Sequence, residues 1–457
     1  MIVESGLING MVLQRTDRNV CCAAFAGCSD AAGQVEARAM QSGKTLRGYS
    51  WINVGIAKNG RFAGRLNGIA CGGPYDIRLR IVNNSRILDE TAVENILVGD
   101  VWILAGQSNM EGRGCGVNLK AVDHVRAFSA DDVWRPAQDP MHRLWAAVDE
   151  VHRTIRGGEP ELTVKCVGPG VSFGQEMLRR TGIPQGLIAC ANGGTSMKQW
   201  SPALKKLKGK SLYGATLRRF HKNGGRVAGV LWYQGCNNAQ SAPVDYMRRT
   251  KQLINAFRRD FSSPALPFVI VQISKVYAPS TFKNANWNAV QDIQRRLGQT
   301  VDHCICVPTV DLGLDDPIHL DAESQDRLGL RLARAAHELI RNKKPMRAIE
   351  PAEIRIVEDK PPRTPYVEVR FRNVEGHLQC PIAPTGFALA DENGNLVDAI
   401  FKIELAGDKA LLRVQLPVRQ IARLRLYYGF GRSPHVNIAD AADRSIPAFG
   451  PLRIGRP

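Results

Sequence analysis

The sequence predicts an α/β protein: a mostly parallel sheet flanked by helices, with an N-terminal and a C-terminal β-sandwich domain. Two observations point there. Strand-length apolar runs alternate with helix-length periodic segments in the middle of the chain, whereas only short strands and turns occur on either side. A third is length: 457 residues exceed what one compact core accommodates, so two or three domains are expected.

Residues 1–95 read as the first β domain. "MVLQR", "CCAAFAG", "YSWINVGI" and "YDIRLRIV" are short apolar or alternating stretches cut by glycine-rich turns, without a helix-length periodic segment. Residues 96–343 read as the α/β domain. Its strands are expected at Val101–Leu104, Gly186–Cys190, Val227–Tyr233, Phe268–Ile273 and Cys304–Val310. Helices are expected over Ser172–Arg180, Val244–Phe261, Asn288–Gly298 and from Ser324 onward. The last of these places Leu328, Leu332, Ala335, Ala336 and Leu339 on one face. Residues 344–457 return to strands in "TPYVEVRFRNV", "KALLRVQL" and "ARLRLYYGF", with an Asn393-Gly394 turn and a proline-rich loop over Asp359–Pro365.

Composition narrows the class. No run approaches the roughly 18 apolar residues of a membrane helix, and the N-terminus lacks the features of a secretory signal, so the expectation is a cytoplasmic protein without a membrane partner. Eleven scattered cysteines suit reduced thiols better than a disulfide framework, and neither Cys21–Cys22 nor Cys304-x-Cys306 has zinc-finger spacing; no metal is expected. The net charge of +18 favours acidic partners. The basic runs "KKLKGK" (Lys205–Lys210) and "RNKKPMR" (Arg341–Arg347) carry no interleaved aromatics, so they read as solvated surface and not as a nucleic-acid interface.

Chemistry gathers at the expected carboxyl ends of the strands, where ligands of open parallel sheets bind. There lie "GQSN" (Gly106–Asn109), "ANGGTS" (Ala191–Ser196), "QGCNN" (Gln234–Asn238) and "DLGLDDPIHL" (Asp311–Leu320). They bring a hydroxyl, backbone and amide donors, and an acid three residues before an imidazole. Serine hydrolysis uses these parts: a base for the hydroxyl proton, an acid for the base, and donors for the oxyanion. The Asp-x-x-His spacing alone is unspecific, because Asp139–His142 and Asp149–His152 share it. Position between the last strand and the last helix selects Asp316–His319. His124, His221, His303, His337, His377 and His435 read as structural or surface residues, and Cys236 as a quiet buried thiol.

On these blocks the chain resembles the sialate O-acetylesterase family of SGNH-type serine esterases. The likeness runs through "MVLQR", "GGPYDIRL", "VGDVWILAGQSNMEG", "VGPGVSFGQE", "GLIACANGGTSMKQW", "SLYGATLRR", "GVLWYQGCNNA", "DDPIHL" and "IPAFGPLRI". The resemblance implies an SGNH-hydrolase-like sheet, Ser108 as nucleophile, His319 as general base and Asp316 as its partner. It implies oxyanion donors at the Ser108 N–H, a backbone N–H at Gly194 and the Gln234 side chain, with Asn237 the rival for that last role. No cofactor is implied, and the substrate would be an acetylated carbohydrate, an acidic glycan being favoured by charge. One departure stands out: the family's "QGES" is replaced here by Gly235-Cys236-Asn237, which removes a carboxylate. Alternatives are an acetylxylan or other plant-polysaccharide acetylesterase and, in another class, a non-catalytic glycan-binding protein.

Overall fold

The computed structural model describes residues 1–116, 119–153, 165–342, 345–358 and 364–455. Residues 359–363 of the expected proline-rich loop lie outside the described residues, as do Lys343 and Lys344, where the boundary between the second and third segments is expected. The fold is mixed α/β, with one large sheet, several helices and additional small sheets. By its internal contacts the chain divides into two units: Met1–Gly193, Gln199–Leu231 and Asn255–Leu266, and then Gly194–Lys198, Trp232–Ile254 and Pro267–Pro457.

In the first unit, strands Ile2–Ser5, Val20–Cys28, Arg61–Ala70, Ile52–Lys58, Gly33–Gln41 and Gly72–Asn83 follow one another across an antiparallel sheet. Alternation dictates their packing: along Val20–Cys28 the side chains of Cys21, Ala23 and Phe25 are buried while their neighbours are less so. The next strand, β1 (Arg86–Gly106), is 21 residues long and changes partner along its length. Arg86 to Val98 pair antiparallel with Gly72–Asn83, whereas Asp100 to Leu104 pair in parallel with a later strand. Every residue from Ile96 to Gly106 is buried, as a strand covered on both faces requires.

A short helix, α1 (Ser108–Glu111), follows at once. Strand β2 (Val125–Phe128), helix α2 (Gly170–Thr181) and strand β3 (Gln185–Ala189) continue the parallel part, β3 lying between β1 and β2. Phe173 of α2 meets Trp102 of β1 edge to face at 5.3 Å, which fixes the helix on the sheet. Helix α3 (Leu212–Lys222) starts at Ser211, whose hydroxyl accepts the Gly214 N–H at 3.1 Å. Strand β4 (Gly229–Tyr233) and helix α4 (Tyr246–Asp260) carry the chain between the two units.

In the second unit, β4 pairs with β5 (Phe268–Gln272). After helix α5 (Asn284–Thr300), strand β6 (Cys304–Pro308) pairs with β5 in parallel. Helix α6 (Ala322–Arg341) is capped by Asp321, whose carboxylate accepts the Ser324 N–H at 2.7 Å. Its predicted face is buried in full: Leu328, Leu332, Ala335, Ala336 and Leu339. Burying each leucine contributes about 1.5–3 kcal/mol. Beyond it stand two four-stranded antiparallel sheets, and Val367, Leu412, Leu389, Leu426, Tyr428 and Phe449 from both contribute to one apolar cluster. No helix among the described residues is long and apolar enough to cross a membrane.

Candidate active site

Strand β1 ends at Gly106, and Ser108 is the first residue of α1. Because Gln107 is extended, the chain turns sharply into the helix, and the Gln107 carbonyl accepts the N–H groups of Met110 (2.9 Å) and Glu111 (3.0 Å). Asn109 and Met110 are buried, while Ser108 is half-buried. The strand-to-helix turn therefore presents the serine and packs its neighbours inward. The block after β3 runs alongside: Cys190 N–H donates to Leu104 O at 2.8 Å, and Asn192 N–H to Gly106 O at 3.1 Å. Glu111 ties the two loops, its Oε2 accepting the Gly193 N–H at 2.7 Å while its Oε1 pairs with Arg113 at 2.6 Å. A Cβ on Gly193 would stand 3.2 Å from Glu111 Oε2 and 3.4 Å from Ser108 Cβ, so a larger residue there would crowd the serine.

In the second unit, Gly194 has φ +70°, a left-handed conformation that glycine adopts without strain. Asn237 Nδ2 donates to the Gly194 carbonyl at 2.9 Å. Gln234 is fully buried, and its Nε2 donates both to Thr195 O (3.1 Å) and to Asn238 Oδ1 (2.7 Å). Asn238 Oδ1 also accepts the Met197 N–H at 3.0 Å, which leaves the orientation of both amides without an equally good alternative. Gly194, Gln234 and Asn237 are thus brought together in one hydrogen-bonded cluster. Gln234 has both amide hydrogens committed to that cluster, whereas Asn237 has committed one.

Asp316 and His319 also come together. Asp316 Oδ2 meets His319 Nδ1 at 2.7 Å, and Asp316 Oδ1 accepts the backbone N–H groups of Ile318 and His319 at 2.9 Å each. Burial by itself would raise this carboxyl, but the His319 hydrogen bond and the two N–H donors outweigh it and hold it near about 2. The carboxylate is ionised at any working pH, able to fix the imidazole tautomer and stabilise its cation. Ser108 belongs to the first unit, and Asp316 and His319 to the second.

The other two matches to the spacing are built differently. Asp149 is held by Arg218 (2.7 Å to each oxygen) and Arg219 (3.2 Å), and His152 Nδ1 lies 3.4 Å from Asn192 Nδ2. His142 is buried, and that burial together with the Arg219 charge pushes its pKa down to about 3. The Cys236 thiol is also buried, which pushes it up to about 12 and makes it a poor nucleophile. Cys21, Cys22, Cys28, Cys71, Cys190, Cys236, Cys306 and Cys380 are free thiols.

Several supporting residues escaped the sequence reading. The Gln234 carbonyl accepts from Tyr246 Oη (2.7 Å) and from Gln294 Nε2 (2.8 Å), and Gln291 braces Ile273 and Ser274 in the same way. Their signal is two glutamines three residues apart on the inward face of α5. Beside Asn237 and Asn238 a cleft of about 480 Å³ opens, lined also by Ser196, Lys198, Asp245 and Arg249. Lys198 is exposed there, and Arg249 lies 3.5 Å from Asp245.

Residues 98–338 match the family model described as carbohydrate esterase, sialic acid-specific acetylesterase. A probable carbohydrate esterase of Arabidopsis thaliana is 30% identical over 264 residues, which is 51% of this chain and 89% of that protein. The sialate O-acetylesterase of Homo sapiens is 25% identical over 266 residues, 48% of this chain and 49% of that protein, so the chain spans about half of the human protein's length. A crystal structure of a carbohydrate acetylesterase from Xanthomonas citri shares the fold, with a TM-score of 0.69 at 21% identity over 98% of both chains. The chain belongs to the carbohydrate esterase family of sialic acid-specific acetylesterases and is a carboxylic ester hydrolase.

Proposed function

We propose that this protein removes O-acetyl groups from carbohydrate through an acetyl-serine intermediate, on an SGNH-type α/β domain flanked by N-terminal and C-terminal β-sandwich domains. Support for the last element comes from the two antiparallel sheets that share one apolar cluster. The observation that carries the mechanism is the Asp316–His319 pair: a carboxylate already fixed by two backbone N–H groups and bonded at 2.7 Å to one imidazole nitrogen. That arrangement leaves Nε2 as the proton acceptor.

In this mechanism Ser108 Oγ attacks the acetyl carbonyl carbon and His319 Nε2 takes its proton. The tetrahedral oxyanion is met by the Ser108 N–H, the Gly194 N–H and the Asn237 side-chain amide, with Gln234 a positioning residue because its two hydrogens already hold the loop. The sugar oxygen leaves with the proton from His319. Water then attacks the acetyl-serine, again through His319, and acetate departs. An acidic glycan suits the cleft beside Asn237, where the Lys198 ammonium stands exposed. The human relative's name specifies sialate.

The test is acetate release from acetylated sialic acid, acetylated xylan and an alkyl acetate, with Ser108→Ala as the control. Expected are loss of all turnover in Ser108→Ala with the fold retained, and a wild-type preference for the carboxylate-bearing sugar that Lys198→Gln abolishes. Undiminished turnover in Ser108→Ala removes the serine mechanism, and a preference for xylan assigns the plant-polysaccharide reading instead.

A further inference from the structure

The chain has 14 phenylalanines, 9 tyrosines and 7 tryptophans, yet among the described residues only Tyr277 and Phe401 have exposed rings, at 58% and 59%. Phe401 sits on an outward position of the antiparallel strand Ile400–Ala406. Tyr277 has a different setting. Its N–H donates at 2.8 Å to the carbonyl of Pro317, the residue that follows Asp316 in the Asp316–His319 loop. Its flanks are pinned on both sides. Val276 is fully buried and donates its N–H to Arg432 O at 2.8 Å. On the other side, Phe282 N–H donates to Ala278 O at 3.1 Å, and the Phe282 ring packs edge-on against Trp287 at 5.0 Å. A fixed backbone thus holds a largely exposed aromatic residue next to the loop that carries Asp316 and His319.

We propose that Tyr277 is a sugar-binding platform, its ring taking the apolar face of a pyranose in the acetylated substrate. The physical reason is the match of the two surfaces. A pyranose presents weakly positive C–H groups on a face and keeps its hydroxyls around the rim, while the tyrosine ring presents a negative face and an apolar area that water solvates poorly. Ligand sites draw their affinity from such aromatic surface and their orientation from a few polar groups. The Tyr277–Pro317 hydrogen bond ties the backbone under the ring to the loop that carries His319, so a sugar stacked on the ring would be bound beside that loop. Tyr277 is therefore a specificity-determining residue for the reaction proposed above, and the inference rests on that reading.

The experiment measures kcat and KM of the full chain on an acetylated saccharide and on a short alkyl acetate that lacks a sugar ring. Tyr277→Ala, Tyr277→Gln and Tyr277→Phe are compared with wild type, and all keep the backbone N–H that holds Pro317. The expected result is a KM about three- to tenfold higher for the saccharide in the Ala and Gln variants, with kcat and alkyl acetate turnover unchanged and Tyr277→Phe indistinguishable from wild type. Equal losses on both substrates would mean that Tyr277 only supports the catalytic loop, and no change in KM would mean that the ring touches no substrate; either overturns the proposal. Calorimetric binding of the acetylated saccharide in a Ser108→Ala background reads the platform without chemistry. If wild type released no acetate, the esterase mechanism would fail, while loss of binding in Tyr277→Ala would still uphold the platform.

Discussion

At Asp149–His152 and at Asp316–His319 the chain repeats one spacing, an acid three residues before an imidazole. The first acid faces Arg218 and Arg219 on α3, and the second accepts from its own loop and meets its histidine. Competition for the carboxylate makes the difference. Two guanidiniums claim both oxygens of Asp149 and leave His152 buried beside an amide. Asp316 instead spends one oxygen on the N–H groups of Ile318 and His319 and offers the other to the ring. The identical local pattern becomes a guanidinium-held carboxylate in one place and a carboxylate–imidazole pair in the other because of what the fold packs against it.

Three experiments break or sharpen this comparison. Asp316→Asn is expected to lower kcat for acetate release by about 10⁴, since an amide favours the wrong imidazole tautomer and cannot stabilise its cation. The melting temperature should hold, and a rate loss below tenfold would remove Asp316 from the mechanism. Asp149→Asn should do the reverse. It leaves the fully buried Arg219 uncompensated, and a loss of about 3–5 kcal/mol in urea unfolding is expected while turnover per folded molecule stays near wild type.

The smallest effect concerns pH. His142 is held down to about 3, and burial holds His152 well below its ordinary value too. In the unfolded chain both titrate near about 6.5, so the unfolded state binds protons that the native state refuses. The stability they contribute is complete above about pH 6.5 and declines as pH falls toward about 3. Between pH 6.5 and 5 the expected loss is up to about 2 kcal/mol per histidine. Asp316, near about 2, adds nothing in that window. His142→Leu should flatten the stability profile measured by urea titration, and an unchanged slope would show that His142 is not the group responsible.

Much of this architecture was legible in the residues. Apolar runs with continuous burial marked β1, β3, β4, β5 and β6, and the period of α6 marked its buried face, because burial on both faces of a strand and on one face of a helix writes directly into the sequence. The Ser108 turn and the Asp316–His319 loop stood out through polar residues placed where such runs stop. Helix α3 did not. Its inward face includes Arg219, entirely buried against Asp149 and the Ala189 carbonyl, and a buried arginine reads as a surface residue until its partners are known. The ties from Glu111 to Gly193 and from Gln294 to Gln234 span 82 and 60 positions, and only the folded chain defines those pairings.

The double pairing of β1 has a consequence for how this chain tolerates changes in length. Around Asn84 and Ser85 the hairpin is exposed, and the adjoining ladder already absorbs an irregularity between Ile81 and Val82, so an extra residue there would be taken up locally. Past Gly99 the parallel partner leaves no such slack. One residue gained or lost between Asp100 and Leu104 would invert the alternation of side chains against β3 and deliver Ser108 to the opposite face of the sheet.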